Sequence, residues 1–198
     1  MRFIGVITAV LLSAAGISRA NSATLNLESG FVRYEASLKT LGVGKNVVSA
    51  VNRKVIGRIV VTGSGSVKGG LVVPVVGFDS NNSKRDKDVA NILKYKEHPA
   101  ITFEVIDIAE ADINRILQSD SGQVDMRVLL TVAGGSKEYD IVVSFDSVES
   151  NRIRFVTGID AKFTDFGIEP PKLGWVLKTA MDEIYLSGDL VFELEEGE

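Results

Sequence analysis

The sequence predicts an all-β fold with a minor helical component, built from about eight antiparallel strands and one well-patterned helix. Three observations lead there. Apolar and polar residues alternate at period two through most of the 198 residues. Short turns rich in Gly and Ser join the alternating segments. A helical period of 3.6 runs clearly through one stretch alone, at residues 83–98. An up-and-down barrel is the economical closure of such a chain, because closing the sheet removes its edges. A two-sheet sandwich satisfies the same alternation.

The first residues resemble an export signal. Arg2 supplies a positive start, residues 4–12 an apolar run too short to span a bilayer comfortably, and residues 18–23 a set of small side chains. Cleavage is expected near residues 20–23, so that 1–23 is a signal peptide and 24–198 a single domain. Removing residues 1–20 takes away Arg2 and Arg19, leaving 20 basic against 26 acidic residues and a net charge of −6. Such an acidic chain is a poor match for nucleic acid, whose binding rests on neutralising phosphates. With no cysteine, neither a disulfide nor a cysteine-linked acyl anchor is available, and stability rests on the core.

Residues 31–38 alternate as a first strand, and Leu41-Gly42-Val43-Gly44 reads as a turn. Residues 55–62 and 67–76 form the next pair, where Pro74 requires an edge or a bulge. After a polar loop at 78–83, Ser83 is placed as N-cap with Asp86 completing a capping-box spacing. Val89, Ile92, Leu93 and the stem of Lys96 share one helical face, and Pro99 is expected to stop the helix at His98. Ile101, Phe103 and Val105 then alternate as a strand, and residues 109–122 read as a short helix or an ordered loop. Val124, Met126, Val128, Leu130 and Val132 share a face, Gly134-Gly135 is read as the hairpin turn, and Tyr139, Ile141, Val143 and Phe145 line the return. Two more strands follow, through Ile153, Phe155, Ile159, Ala161 and Phe163, and through Ile184, Leu186, Leu190 and Phe192. Gly158 and Gly188 fall where a barrel would need to bend.

Catalytic chemistry finds little support. His98 is the single histidine, no serine sits in a G-x-S-x-G context, and a lone imidazole is a poor basis for a zinc, haem or copper site. His98 is read as a structural residue at the helix end, and the paired carboxylates as solvated surface. No Gly-rich segment joins a strand to a helix in the way a phosphate loop requires.

Three segments carry a family resemblance. Arg85-Asp86 opens the helix, followed by Tyr95 and by His98-Pro99-Ala100-Ile101-Thr102-Phe103. Asp165-Phe166-Gly167-Ile168 precedes Asp182-Glu183-Ile184 and the final strand, and the hairpin 130–137 reads Leu-Thr-Val-Ala-Gly-Gly-Ser-Lys. Together these resemble the YceI-like family of exported polyisoprenoid- or lipid-binding proteins. The resemblance implies an eight-stranded lipocalin-like antiparallel barrel with a helix over its opening, and no enzymatic activity. It departs from the family pattern at Arg33-Tyr34-Glu35-Ala36-Ser37, where a His-Ser pair is common, and at Lys162-Phe163-Thr164, where an arginine is absent.

The expected function is that of a non-enzymatic periplasmic carrier, without cofactor or metal, holding a long-chain isoprenoid, quinone-like lipid or fatty amide. The alternative is a stress-response or interaction module whose barrel is filled. The expected lining takes Met126, Val128 and Leu130 from one strand and Tyr139, Ile141, Val143 and Phe145 from the next. Phe155, Ile159, Phe163, Leu186, Leu190 and Phe192 complete it. Arg85 shares the apolar helix face and needs a partner, expected to be an intramolecular carboxylate such as Asp165 or a ligand head group. A homodimer is compatible with the resemblance.

Overall fold

The period-two pattern folds into antiparallel strands throughout. In this computed structural model residues 22–40, 44–62, 66–149, 151–173 and 178–196 are described. Strands β1 (Ala23–Thr40), β2 (Gly44–Asn52), β3 (Ile56–Val61) and β4 (Val67–Pro74) lead through a 3-10 turn at Val75–Gly77 into the short β5 (Phe78–Asp79). Helix α1 (Ser83–Ile92), β6 (Ala100–Ile108) and helix α2 (Glu110–Gln118) follow. The chain ends with β7 (Ser121–Val132), β8 (Gly135–Glu149), β9 (Arg152–Lys162), a 3-10 turn at Phe163–Phe166, β10 (Lys172–Leu173) and β11 (Lys178–Glu196). Eight of these close a ring in the order β1-β3-β4-β6-β7-β8-β9-β11, with β11 pairing back onto β1. The closed antiparallel barrel, rather than a sandwich, is the solution adopted.

Strand β1 is longer than the ring requires. Its first part pairs with β3, from Ala23↔Val61 to Asn26↔Arg58. Its second part pairs with β2, from Val32↔Asn52 to Thr40↔Gly44. Beyond Ala36 and Val48, past the end of β9 at Lys162, the β1–β2 pair runs on beyond the ring as a flap, and only Val51 and Asn52 of β2 gain a further partner, in β5. The β1 arm contains the expected strand 31–38, but no strand is expected at β2 or β5: the sequence suggests a turn at 41–44, of which 41–43 lie outside the described residues, and a loop at 78–83. The first four residues of β2 are exposed, and only Val48, Ala50 and Asn52 turn inward, so its alternation is too short to mark a half-buried strand.

The barrel bends at bulges. Register shifts place Glu28, Ile106 and Val148 as extra residues in their strands, and another shift lies at Ser37. Gly158 and Gly188 lie within unbroken register, which corrects their expected role. Gly158 instead makes room for Tyr185, whose hydroxyl would lie 2.1 Å from an added Cβ.

Helix α1 begins one residue earlier than its sequence suggests. Asn82, not Ser83, is the N-cap, and its side chain accepts from the Arg85 N–H at 3.0 Å. Asp86 does not close a capping box but reaches back to accept from the Ser80 N–H and hydroxyl. The helix stops at Ile92, well before Pro99. Lys94 adopts φ 50°, and the Lys94 and Tyr95 N–H groups donate to Asn91 and Ala90 carbonyls, a Schellman termination. His98 is thus not at a helix end; its ring packs on the β7–β8 hairpin, 2.7 Å from where a Gly134 Cβ would stand. The hairpin turn is Ala133-Gly134, at φ 50° and 85°, one residue earlier than expected. Gly135 is already paired with Val132 and passes so close to the Phe166 carbonyl that a Cβ would stand 2.3 Å from its oxygen.

Strand register places the two helices at opposite ends. α1 lies with Pro74 and Ala100, and α2 lies between the far ends of β6 and β7. Helix α2 closes its end with Ile113 and Ile116, both buried. One large core cluster runs through the barrel, from Leu93 and Val75 at the α1 end to Phe145, Ile153 and Ile116 at the other.

Candidate functional site

The inward side chains of the barrel do not meet across its axis. They leave a cavity of about 540 Å³. That is far beyond the roughly 10–15 Å³ that one water needs, and it lies within the ~300–1,000 Å³ range of ligand pockets.

The walls are almost wholly apolar. Val143, Phe155, Ile159, Leu186, Leu190 and Phe192 form one side, and Ile59, Leu71, Ile101, Phe103 and Met126 the other. Ile113, Ile116 and Leu117 of α2 close one end. Polar side chains gather toward the opposite end, where Asn82, Lys84, Arg85 and Asp88 of the α1 region reach the lining. The chamber has a greasy closed end and a polar end under α1. Gly188, which points inward with Leu186 and Leu190, widens it: an added Cβ would meet nothing nearer than Leu190 Cδ1 at 3.7 Å.

Of the residues expected to line the interior, Met126, Leu130, Val143, Phe155, Ile159 and Phe163 do so, as do Leu186, Leu190, Phe192 and Arg85. Val128, Ile141 and Phe145 are buried in side-chain packing instead, and they support the wall from within the core cluster. Tyr139 is also diverted from the cavity: its hydroxyl donates to Asp165 Oδ2 at 2.7 Å and its ring tilts against Phe166. The reading missed the N-terminal wall, including Leu25, Ala36, Leu38 and Val73, and the α2 end. Ile101, Phe103 and Val105 of β6 also line the cavity, and their alternation already carried the signal of an inward face.

Arg85 does not pair with Asp165. Its Nε donates to Ser80 Oγ at 2.8 Å and its Nη2 to the Ser80 carbonyl at 2.7 Å, while Asp86 accepts from the same serine. Ser80 is buried, so the cation and the carboxylate jointly satisfy a polar turn that the core would otherwise leave unpaired. Asp165 is taken up elsewhere. It accepts from Lys137 Nζ at 2.6 Å, from Tyr139, and from the Lys162 N–H at 2.9 Å, tying the Phe163–Phe166 turn to β8. Burial pushes its carboxyl up, but these three donors outweigh burial and hold it below the ordinary aspartate value.

Among the described residues, two polar atoms of lining residues stand without a hydrogen-bond partner, Arg33 Nε and the Tyr34 hydroxyl. Tyr34 comes from β1, lines the cavity, and packs edge-on against Phe78 with ring centroids 5.3 Å apart. Its hydroxyl is buried and makes no hydrogen bond. Burial pushes its pKa up from 10.0 to about 12, with Arg85 opposing and Asp86 adding to the shift.

A family model for the YceI-like domain matches residues 20–192. The chain belongs to the YceI-like family. Among solved structures, this YceI-like chain is similar to a polyisoprenoid binding domain from Saccharophagus degradans implicated in plant cell wall breakdown. The two are 13% identical with a TM-score of 0.67, over 87% of this chain and 98% of that one. BcnA of Burkholderia cenocepacia is 16% identical with a TM-score of 0.58, over 81% and 95% of the two chains. A mutant CJ YceI protein is 18% identical with a TM-score of 0.52, over 73% and 82%. At these identities the likeness is one of fold, the lipocalin-like barrel. A search of curated protein sequences found no match.

Proposed function

We propose that this YceI-like protein is a non-enzymatic carrier or sequestering protein, exported to the periplasm, for an amphiphile with one long apolar tail. The observation that carries the reading is the apolar chamber of about 540 Å³ with polar side chains at one end. A tail inside it leaves water at about 0.8 kcal/mol per CH₂, so that tight binding needs no specific chemistry. An isoprenoid or quinone-like lipid suits the walls, and the fold neighbour described as a polyisoprenoid binding domain supports that class. Membership of the YceI-like family and the polyisoprenoid binding domain among its fold neighbours favour a binding protein over an enzyme. A filled-barrel module fits poorly with a chamber of this size. Residues 1–21, which include most of the expected export signal, lie outside the described residues.

Native mass spectrometry of protein purified without detergent tests the reading. We expect an adduct of lipid mass, or uptake of an added prenyl quinone at one per chain. Protein that is repeatedly empty and takes up no prenyl quinone would overturn it.

A further inference from the structure

The tip of the flap is basic in an acidic protein. Lys39 of β1 stands directly opposite Lys45 of β2, and both are exposed. Like charges facing each other across strands oppose the pairing. On its other edge Lys39 pairs with Thr179 of β11, which pairs in turn with Lys172 of β10. The next row along the same strands holds Gly44, Thr40, Lys178 and Leu173. Neither row contains an acidic residue, in a chain with 26 Asp and Glu against 22 Lys and Arg. Among the described residues, neither Lys39 nor Lys45 has an ion-pair partner. The other end of the barrel has the opposite character: Glu28, Glu149, Glu193 and Glu195 cluster there, with Arg152 bridging the first two.

Apolar groups accompany the lysines. Val47 lies two residues beyond Lys45 on the same outer face and is 65% exposed. On the inner face of the same two strands, Leu38 and Val48 belong to the cavity lining. The basic tip and one extremity of the chamber are therefore opposite faces of the same stretch of sheet.

We propose that this flap docks the protein on an anionic lipid bilayer, with Lys39 and Lys45 at its tip against the head groups and Val47, whose hollow also holds Glu35, Asp160 and Glu183, kept clear of the bilayer. Lysines near such a surface are attracted individually and additively, and the acidic remainder of the molecule is repelled. Repulsion of the body makes the contact directional: the flap end, and with it the polar end of the chamber, turns toward the membrane. The Lys39–Lys45 juxtaposition, costly in isolation, is relieved when lipid phosphates lie between the two ammonium groups.

Co-sedimentation with vesicles tests the proposal. The purified protein is mixed with vesicles of phosphatidylcholine alone and with vesicles containing one quarter phosphatidylglycerol. We expect binding to the second, weakened severalfold by raising salt from 50 to 300 mM, and none to the first. Lys45→Glu should lower the affinity at least fivefold, and Lys39→Glu with Lys45→Glu more than tenfold. Lys68→Glu, which makes the same charge change on β4 away from the flap, should leave binding as it is. Lys45→Glu also puts opposite charges across the strand pair, so its thermal midpoint should be no lower than wild type, which separates lost docking from lost folding. Equal binding to both vesicle types, no binding to either, or flap variants that sediment like wild type would each overturn docking. Prenyl quinone uptake by the variants in the absence of vesicles reads the carrier function separately.

Discussion

Tyr34 shows how one residue can be at odds with its surroundings. Its ring belongs to the apolar wall, but its hydroxyl is buried there without a partner, and leaving a donor unmade costs about 1–3 kcal/mol. Tyr34→Phe keeps the ring contact with Phe78 and removes the orphan. It should therefore stabilise the ligand-free protein by about 1 kcal/mol, read as a higher urea midpoint at unchanged slope. The same burial makes the residue an alkaline liability. Because the folded pKa is raised to about 12, the folded state retains a proton that the unfolded chain releases near 10.0. The stability tied to that proton is whole below the unfolded value and is lost as pH rises through the folded one. Wild type should lose stability between those two values, and Tyr34→Phe should lose less. Tyr139 adds to the same alkaline loss, since burial and its hydrogen bond to Asp165 raise its pKa too. Nothing in the primary structure marks Tyr34 as unpaired, because pairing depends on what α1 and β5 bring near it.

Helix α1 is an element whose existence was legible and whose ends were not. Asn82 and Ser83 are both competent caps, one residue apart, and the choice between them turns on Asp86. That carboxylate is drawn to Ser80, six residues earlier in the loop that leads into the helix. Arg85 is drawn to the same serine, so it is a strut of the α1 entry as well as part of the chamber lining. Arg85→Ala should cost about 1–3 kcal/mol by leaving the buried Ser80 oxygens short of donors, measurable by urea unfolding. A wild-type midpoint would show that the Ser80 contacts contribute nothing. The β1–β2 flap was the opposite case. Its β1 arm was legible as a strand, but the first four residues of β2 are exposed, so burial imposed no period there and the pair could not be seen before its register was known.

At the scale of the whole molecule the chamber is decided by what side chains fail to fill. Gly188 points into it with room to spare, and Gly188→Leu would project a branched side chain into the space a tail would take. Prenyl quinone uptake should fall at least tenfold, while the empty protein should be stabilised by up to about 2 kcal/mol as apolar surface is covered. If uptake is unchanged, the ligand lies elsewhere. This test differs from substitution of a wall residue such as Phe192, which is 2% exposed and holds the core together.

The sequence by itself determined the strand-rich class, the inward faces of β7, β8, β9 and β11, the position of α1 and the family. Each of these rests on local periodicity or on contiguous motifs, and periodicity is written residue by residue. Tertiary structure alone decided the closure of β11 onto β1, the flap, the partner of Arg85 and the volume of the chamber. Closure and pairing join residues far apart in the chain, as when Ala23 meets Glu196. Whether facing side chains touch across a barrel depends on its diameter and on small residues such as Gly188. Inward alternation reads the same in a filled barrel and a hollow one.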